Sequence, residues 1–117
     1  MLNVPRPVSE PGEDRLSLVL FALAHPVRRD LIDMVRRAPA RVTELAAGFD
    51  MSLPAVSRHI RVLDKARIVE RRVVGRDHFI LPAEGGLADV ADWVTRRSGE
   101  WRERLEALKS LMEVEDG

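Results

Sequence analysis

With 117 residues, of which 45% are apolar, the chain can bury one modest core and is too short for two independent ones. Cys is absent, which removes disulfides, thiolate catalysis and sulfur-ligated metal sites, while 4% aromatics and no Tyr argue against a platform that stacks single-stranded bases. Nineteen basic residues balance nineteen acidic ones, so the overall charge announces no nucleic-acid partner and any such reading must come from how the charges are distributed.

Pro5, Pro7, Pro11 and Gly12 lie among polar residues, and residues 1–12 read as a flexible tail without assigned function. The opening MLNVPRPVSEPGED lacks the basic start and apolar centre of a signal peptide, and no apolar run approaches the roughly 18 residues of a membrane span. The expectation is a cytoplasmic chain with no membrane partner.

Leu16, Val19, Leu20 and Leu23 recur at a helical period that stops at His25, because a residue before proline is disfavoured in the helical region. Pro26 suits the start of a second helix, whose buried face is Val27, Leu31, Ile32 and Val35 and which ends near Arg37. Pro39 separates it from a short third helix ending near Gly48, with Thr43 read as the N-cap and Glu44 in the first turn.

In the fourth helix, about 53–66, Ser52 is an N-cap, Pro54 falls in the tolerant first turn, and Leu53, Val56, Ile60 and Leu63 are spaced 3, 4 and 3. At about 100° per residue the opposite face carries Pro54, Arg58, Arg61 and Lys65, with Ser57 and His59 on the flanks. Two arginines, a histidine and a serine in five positions exceed what packing requires.

IVERRVV and DHFIL flank Gly75 and Arg76, a Gly-first pair that suits a type II′ turn, so a two-stranded hairpin with a basic tip is expected over 68–81. After Gly85 and Gly86, Leu87, Ala91, Val94, Ser98, Trp101, Leu105, Leu108 and Met112 alternate steps of 4 and 3, a heptad-like seam that needs a second helix against it. Trp101 lies on that seam; Trp93 lies off it, free to pack on the rest of the domain or to line a cleft. Residues 113–117 read as a tail.

The charge is polarised along the chain. From Arg58 to His78, seven bases (Arg58, Arg61, Lys65, Arg67, Arg71, Arg72, Arg76) meet three acids (Asp64, Glu70, Asp77), an excess of four positive charges; from Glu84 onward nine acids meet five bases. Helices three and four joined by a short turn, the second displaying a basic and hydroxyl face, followed by a basic-tipped hairpin, match a winged helix-turn-helix over 43–66 and 68–81. The expected fold is mainly α with a small β-hairpin, one domain over 13–112.

The phrases LFALAHPVRRDLIDMV, VTELAAGFDMSLPAVSRHIRVLDKARIVERR and GRDHFIL resemble the ArsR-type family of bacterial winged-helix repressors, the Pro-x-Arg opening of helix two and the Ser-x-His of helix four being the most specific matches. The resemblance implies a homodimer through the first and last helices, with Leu16, Leu20, Leu87, Ala91, Val94, Trp101, Leu105 and Leu108 at the interface. It implies double-stranded DNA as partner, read as an imperfect palindrome through Ser52, Pro54, Ser57, Arg58, His59, Arg61, Arg72 and Arg76. His25 and His78 are read as structural and strand-surface residues.

Many members of that family sense metals with a thiolate pair on helix three or with carboxylate and imidazole ligands on the last helix. ELAAGFD has no Cys and LADVADWVTRRSGEW no His, while Asp89, Asp92 and Glu100 suit an ordinary charged face, so no metal site and no cofactor is expected. FDMSLPAVSRH resembles a metal-independent branch. An unknown small-molecule effector, the operator, the regulated genes and repression versus activation stay open. The alternative is a winged-helix module that docks a protein through its last helix; an enzyme has no support from paired carboxylates, Cys or a glycine-rich phosphate loop.

Overall fold

The computed structural model describes residues 14–116; the tail expected over 1–12 lies outside them. Helix α1 (Arg15–Leu23) starts at Asp14, whose carboxylate accepts from the Leu16 N–H, and α2 (Pro26–Arg37) follows after two residues. His25 caps α2: its Nδ1 accepts from Val27 N at 3.1 Å, the structural role expected of it. Strand β1 (Ala40–Arg41) leads into α3 (Val42–Ala46), then α4 (Leu53–Lys65), β2 (Val69–Val74), β3 (Asp77–Pro82) and α5 (Ala88–Asp116).

The expected hairpin is the larger part of a three-stranded antiparallel sheet ordered β1-β3-β2, in which Ala40 and Arg41 pair with Ile80 and Phe79. Two residues show no alternation, so β1 exists only through its partner. The β2–β3 register runs from Val69 opposite Pro82 to Val74 opposite Asp77. Gly75 alone of the two turn residues has positive φ, at 64°, as a type II′ turn requires.

The N-cap of α3 is Arg41 rather than Thr43. The Glu44 carboxylate accepts from Arg41 N at 2.8 Å, and that bond, ahead of the one from the Arg41 side chain, holds its acidity above the ordinary glutamate's, with its pKa shifted down. Ser52 caps α4 as expected, its hydroxyl accepting from Ala55 N at 3.2 Å. At the other end Arg67, at φ 59°, and Ile68 bond back to Asp64 O and Leu63 O, a Schellman-type reversal that aims the chain into β2.

Val19 and Ala22 of α1, Leu31 and Val35 of α2, Leu45 of α3, Val56, Ile60 and Leu63 of α4, and Ile68, Val69 and Ile80 are nearly inaccessible and form one core. Each of the Val, Leu and Ile side chains among them contributes about 1.5–3 kcal/mol of burial. Leu53 departs from the expected stripe: it is exposed at the first position of α4.

The described chain divides into two compact units, one ending at Leu87 and one beginning at Ala88, where a single domain through 112 was expected. The second is α5, which continues to Asp116 through positions expected to be tail. Among the described residues no helix is long and apolar enough to cross a membrane.

Candidate nucleic-acid interface

Burying Val56, Ile60 and Leu63 turns the opposite face of α4 outward, and Pro54, Arg58, Arg61 and Lys65 are exposed there. Ser57, on the flank, joins Leu53 and Arg61 in lining an open cleft of about 460 Å³. The wing supplies Arg71, Arg76, Asp77 and His78 to the same cleft, and Arg41, Val42 and Thr43 complete it from the start of α3. Four guanidinium groups thus meet one carboxylate in a chain of zero net charge. That local excess is what a phosphate backbone would meet.

Arg58, Arg61, Arg71 and Arg76 have no ion-pair partner among the described residues. Arg41 is engaged by Glu44 at 3.2 Å and by Asp77 at 3.5 Å, both exposed pairs, and its pKa is raised, chiefly by the Glu44 hydrogen bond. It stays charged at any pH at which the protein folds.

Two residues expected at DNA have side-chain partners within the chain. Arg72 points to the face of β2 that carries Glu70, with which it pairs at 2.6 Å. Side chains alternate along a strand, so the face that buries Val69 is the one that carries Arg71, opposite the buried Ile80, and brings it to the cleft. Counting by twos from Val69 would have chosen Arg71. His59 is half-buried with Nδ1 3.1 Å from Arg28 Nη1 and its ring 4.4 Å from that of His25, so that edge serves the interior and not a base. Burial first, then the nearby His25, Arg28 and Arg58, pushes its pKa below the ordinary histidine value.

Arg41, Thr43, Arg71, His78 and Leu53 join the site without having been assigned to it. Arg71 and His78 had a signal in the alternation, each two residues from a buried position (Val69 and Ile80); Arg41 and Thr43 depend on β1 docking against β3.

The residues expected at a dimer interface lie uncovered in the single chain. Leu20 is 46% exposed, Trp101 76% and Leu108 50%, and Val94, Leu105, Leu87 and Ala91 are exposed as well, while Leu16 is half-buried. Along α5, Trp93, Val94, Ser98, Trp101 and Leu105 line a shallow apolar groove of about 490 Å³. Trp93 belongs to that groove, with the Arg97 guanidinium 4.9 Å above its ring.

A family model described as a helix-turn-helix domain matches residues 23–72. The chain is 43% identical over 94 residues to the HTH-type transcriptional regulator Rv2034 of Mycobacterium tuberculosis, a match covering 80% of this chain and 85% of that one. Its structure resembles that of the ArsR family transcriptional regulator RHA00566, with a TM-score of 0.71 and 30% identity over 76% of this chain and 98% of the other. The chain belongs to the ArsR family of winged helix-turn-helix transcriptional regulators. It is also 32% identical over 90 residues, 77% of each chain, to the biofilm growth-associated repressor of Agrobacterium fabrum. As an ArsR-family member, it carries its helix-turn-helix in α3 and α4 and its wing in β2 and β3, and a DNA-binding regulator's surface is to be sought there.

Proposed function

We propose that the chain acts as a homodimeric, sequence-specific repressor of its own or neighbouring genes, reading an imperfect palindrome and sensing no metal. The observation that carries this reading is the cleft between α4 and the wing, lined by Arg41, Arg61, Arg71 and Arg76. Arg58 and Arg61 have the reach and the free guanidinium to bond guanine O6 and N7 in a major groove, with Ser57 beside them. Pro54 offers apolar contact to a thymine methyl, and Ser52 can donate its hydroxyl proton to a phosphate at the α4 N-terminus. Arg71, Arg76 and Thr43 fit the adjacent backbone.

The uncovered apolar face of α5 supports the dimer, and two copies of α4 would then enter successive major grooves about 34 Å apart. The absence of Cys from the sequence removes the thiolate ligands of the family's metal sensors and supports a metal-independent role. Arg58→Ala and Arg61→Ala should each weaken specific binding by about 1–3 kcal/mol, roughly 5- to 150-fold, while sedimentation shows an intact dimer. Unchanged affinity in both variants would remove α4 from the reading role.

A further inference from the structure

The Pro-x-Arg and Ser-x-His motifs, far apart in sequence, meet through Arg28 and His59. The last turn of α1 presents its carbonyl oxygens to α2, and two arginines of α2 supply donors: Arg29 Nη1 to Leu23 O at 2.6 Å, and Arg28 Nε to Ala22 O at 2.7 Å and Nη2 to Phe21 O, which also accepts from Ala24 N, at 2.8 Å. Arg28 is only 7% exposed and lies over the Phe21 ring. Its remaining arm, Nη1, sits 3.1 Å from His59 Nδ1 in α4. A guanidinium has no acceptor, so Nδ1 must hold a lone pair and His59 must carry its single proton on Nε2.

One buried side chain therefore ties the C-terminus of α1 to the middle of α4, next to Arg58 and two residues from Ser57 and Arg61. We propose that Arg28 and neutral His59 are positioning residues for the DNA-reading helix, and that a proton on His59 releases α4 and weakens DNA binding. The proposal rests on the DNA-binding reading above and adds a pH dependence to it.

The charged surroundings of His59 give this a sign. His25 faces it from the α1–α2 turn with its own Nδ1 already accepting from Val27 N, Arg28 comes from α2, and Arg58 from α4 itself. Arg15 of α1 donates to Ala66 O at the far end of α4, and Glu44 of α3 is held by Arg41. No carboxylate is bonded to either imidazole among the described residues. A second N–H on His59 would point a donor at a donor and add a cation beside two arginines. The depressed pKa of His59 agrees: the unfolded chain takes up this proton more readily, so stability is full above the ordinary histidine pKa near 6.5 and is lost as pH falls through and below it. An imidazolium neutralising a phosphate would have the opposite effect and tighten binding in acid.

The test uses a duplex of about 25 base pairs, two half-sites with flanks, selected from a random-sequence pool at about pH 8. Affinity is measured by fluorescence anisotropy at about pH 8 and pH 5 for the full chain and for His59→Asn, which keeps an acceptor near Nδ1 and does not titrate. Both proteins carry His78→Asn, so that the cleft histidine does not enter. A single proton with a midpoint below 6.5 gives a loss of about 3- to 30-fold with His59 present and less than about twofold with Asn.

Equal losses in the two proteins, no loss, or tighter binding in acid overturns the proposal. NMR on the unsubstituted chain decides it independently of how the variant folds: the Ser57 and Arg61 amides should shift with the His59 ring at one midpoint, and amides that stay still while the ring titrates overturn it. Failure to select any bound duplex at pH 8 would instead sink the DNA-binding reading, and the NMR result would still decide the Arg28–His59 coupling.

Discussion

Arg41 Nη1 lies 3.5 Å from Asp77 Oδ1, a bond that joins the start of α3 to the first residue of β3 at the wing tip and holds in place the one carboxylate that lines the arginine-rich cleft among the described residues. Both side chains are about half exposed, so the pair is worth little to stability, of order 0–1 kcal/mol. Its charge matters more than its bond. Asp77→Asn removes a negative group from the surface proposed to meet phosphate and leaves Arg41 with Glu44 as its one acidic partner among the described residues.

The expected outcome for Asp77→Asn is DNA binding about two- to tenfold tighter at low salt, a gain that fades as salt rises, with an unchanged melting temperature. Weaker binding in a titration at two ionic strengths would mean that the cleft does not face the backbone.

Arg71 and Arg72 are sequence neighbours on opposite faces of β2, which makes them a matched pair of probes. Arg71→Ala should weaken binding to every duplex alike and lower the magnitude of the slope of log affinity against log salt by about one, as loss of a phosphate contact does. Arg72→Ala, which breaks only an exposed pair with Glu70, should change affinity by less than about twofold. The reverse order would place the DNA on the other face of the wing.

What could be read ahead of the structure was whatever repeats with a period. The spacing of Val56, Ile60 and Leu63 aims Arg58 and Arg61 outward without any tertiary information, and Ser52 and Gly75 announce a cap and a turn by their chemistry alone. Strand β1 was invisible because two residues carry no period, and the Arg41 cap and the Thr43 position go with it. The internal partner of His59 was not legible because helical geometry places it on a flank, and only the packing of α1 and α2 against α4 decides what that flank meets. Arg28 was seen as motif but not as a buried donor, since a charged residue is buried only when specific carbonyls meet it.

Gly86 and Gly99 should respond to alanine in opposite directions. A Cβ on Gly86 would come within 2.9 Å of Ile68 Cα and 3.0 Å of Ile68 O, backbone that cannot swing aside, so Gly86→Ala should cost about 1–3 kcal/mol. A Cβ on Gly99 meets nothing within 4 Å on α5, and Gly99→Ala should stabilise that helix by about 0.8–1 kcal/mol. Chemical denaturation of each variant checks both signs.

Trp101 is 76% exposed on α5, a large apolar area left in water by the single chain. Trp101→Glu should shift the chain from dimer to monomer in sedimentation while the thermal transition of the winged unit, measured at a concentration where it is monomeric, stays within about 0.5 kcal/mol, the range of ordinary surface changes. Affinity for a two-half-site duplex should fall by at least about 100-fold as the second half-site is lost, with little change for a single half-site. A dimer that survives Trp101→Glu and Leu105→Glu together would place the interface elsewhere.

DNA reading is tested by the salt dependence of binding to a duplex selected from a random-sequence pool, measured against scrambled competitor. With two clefts of four arginines each, binding should resist competitor and its log affinity should fall with log salt at a slope steeper than about −4, each neutralised phosphate adding about 0.9. No duplex enriched over the scrambled sequence, and a slope near zero, would contradict DNA reading and leave a winged-helix module that docks a protein.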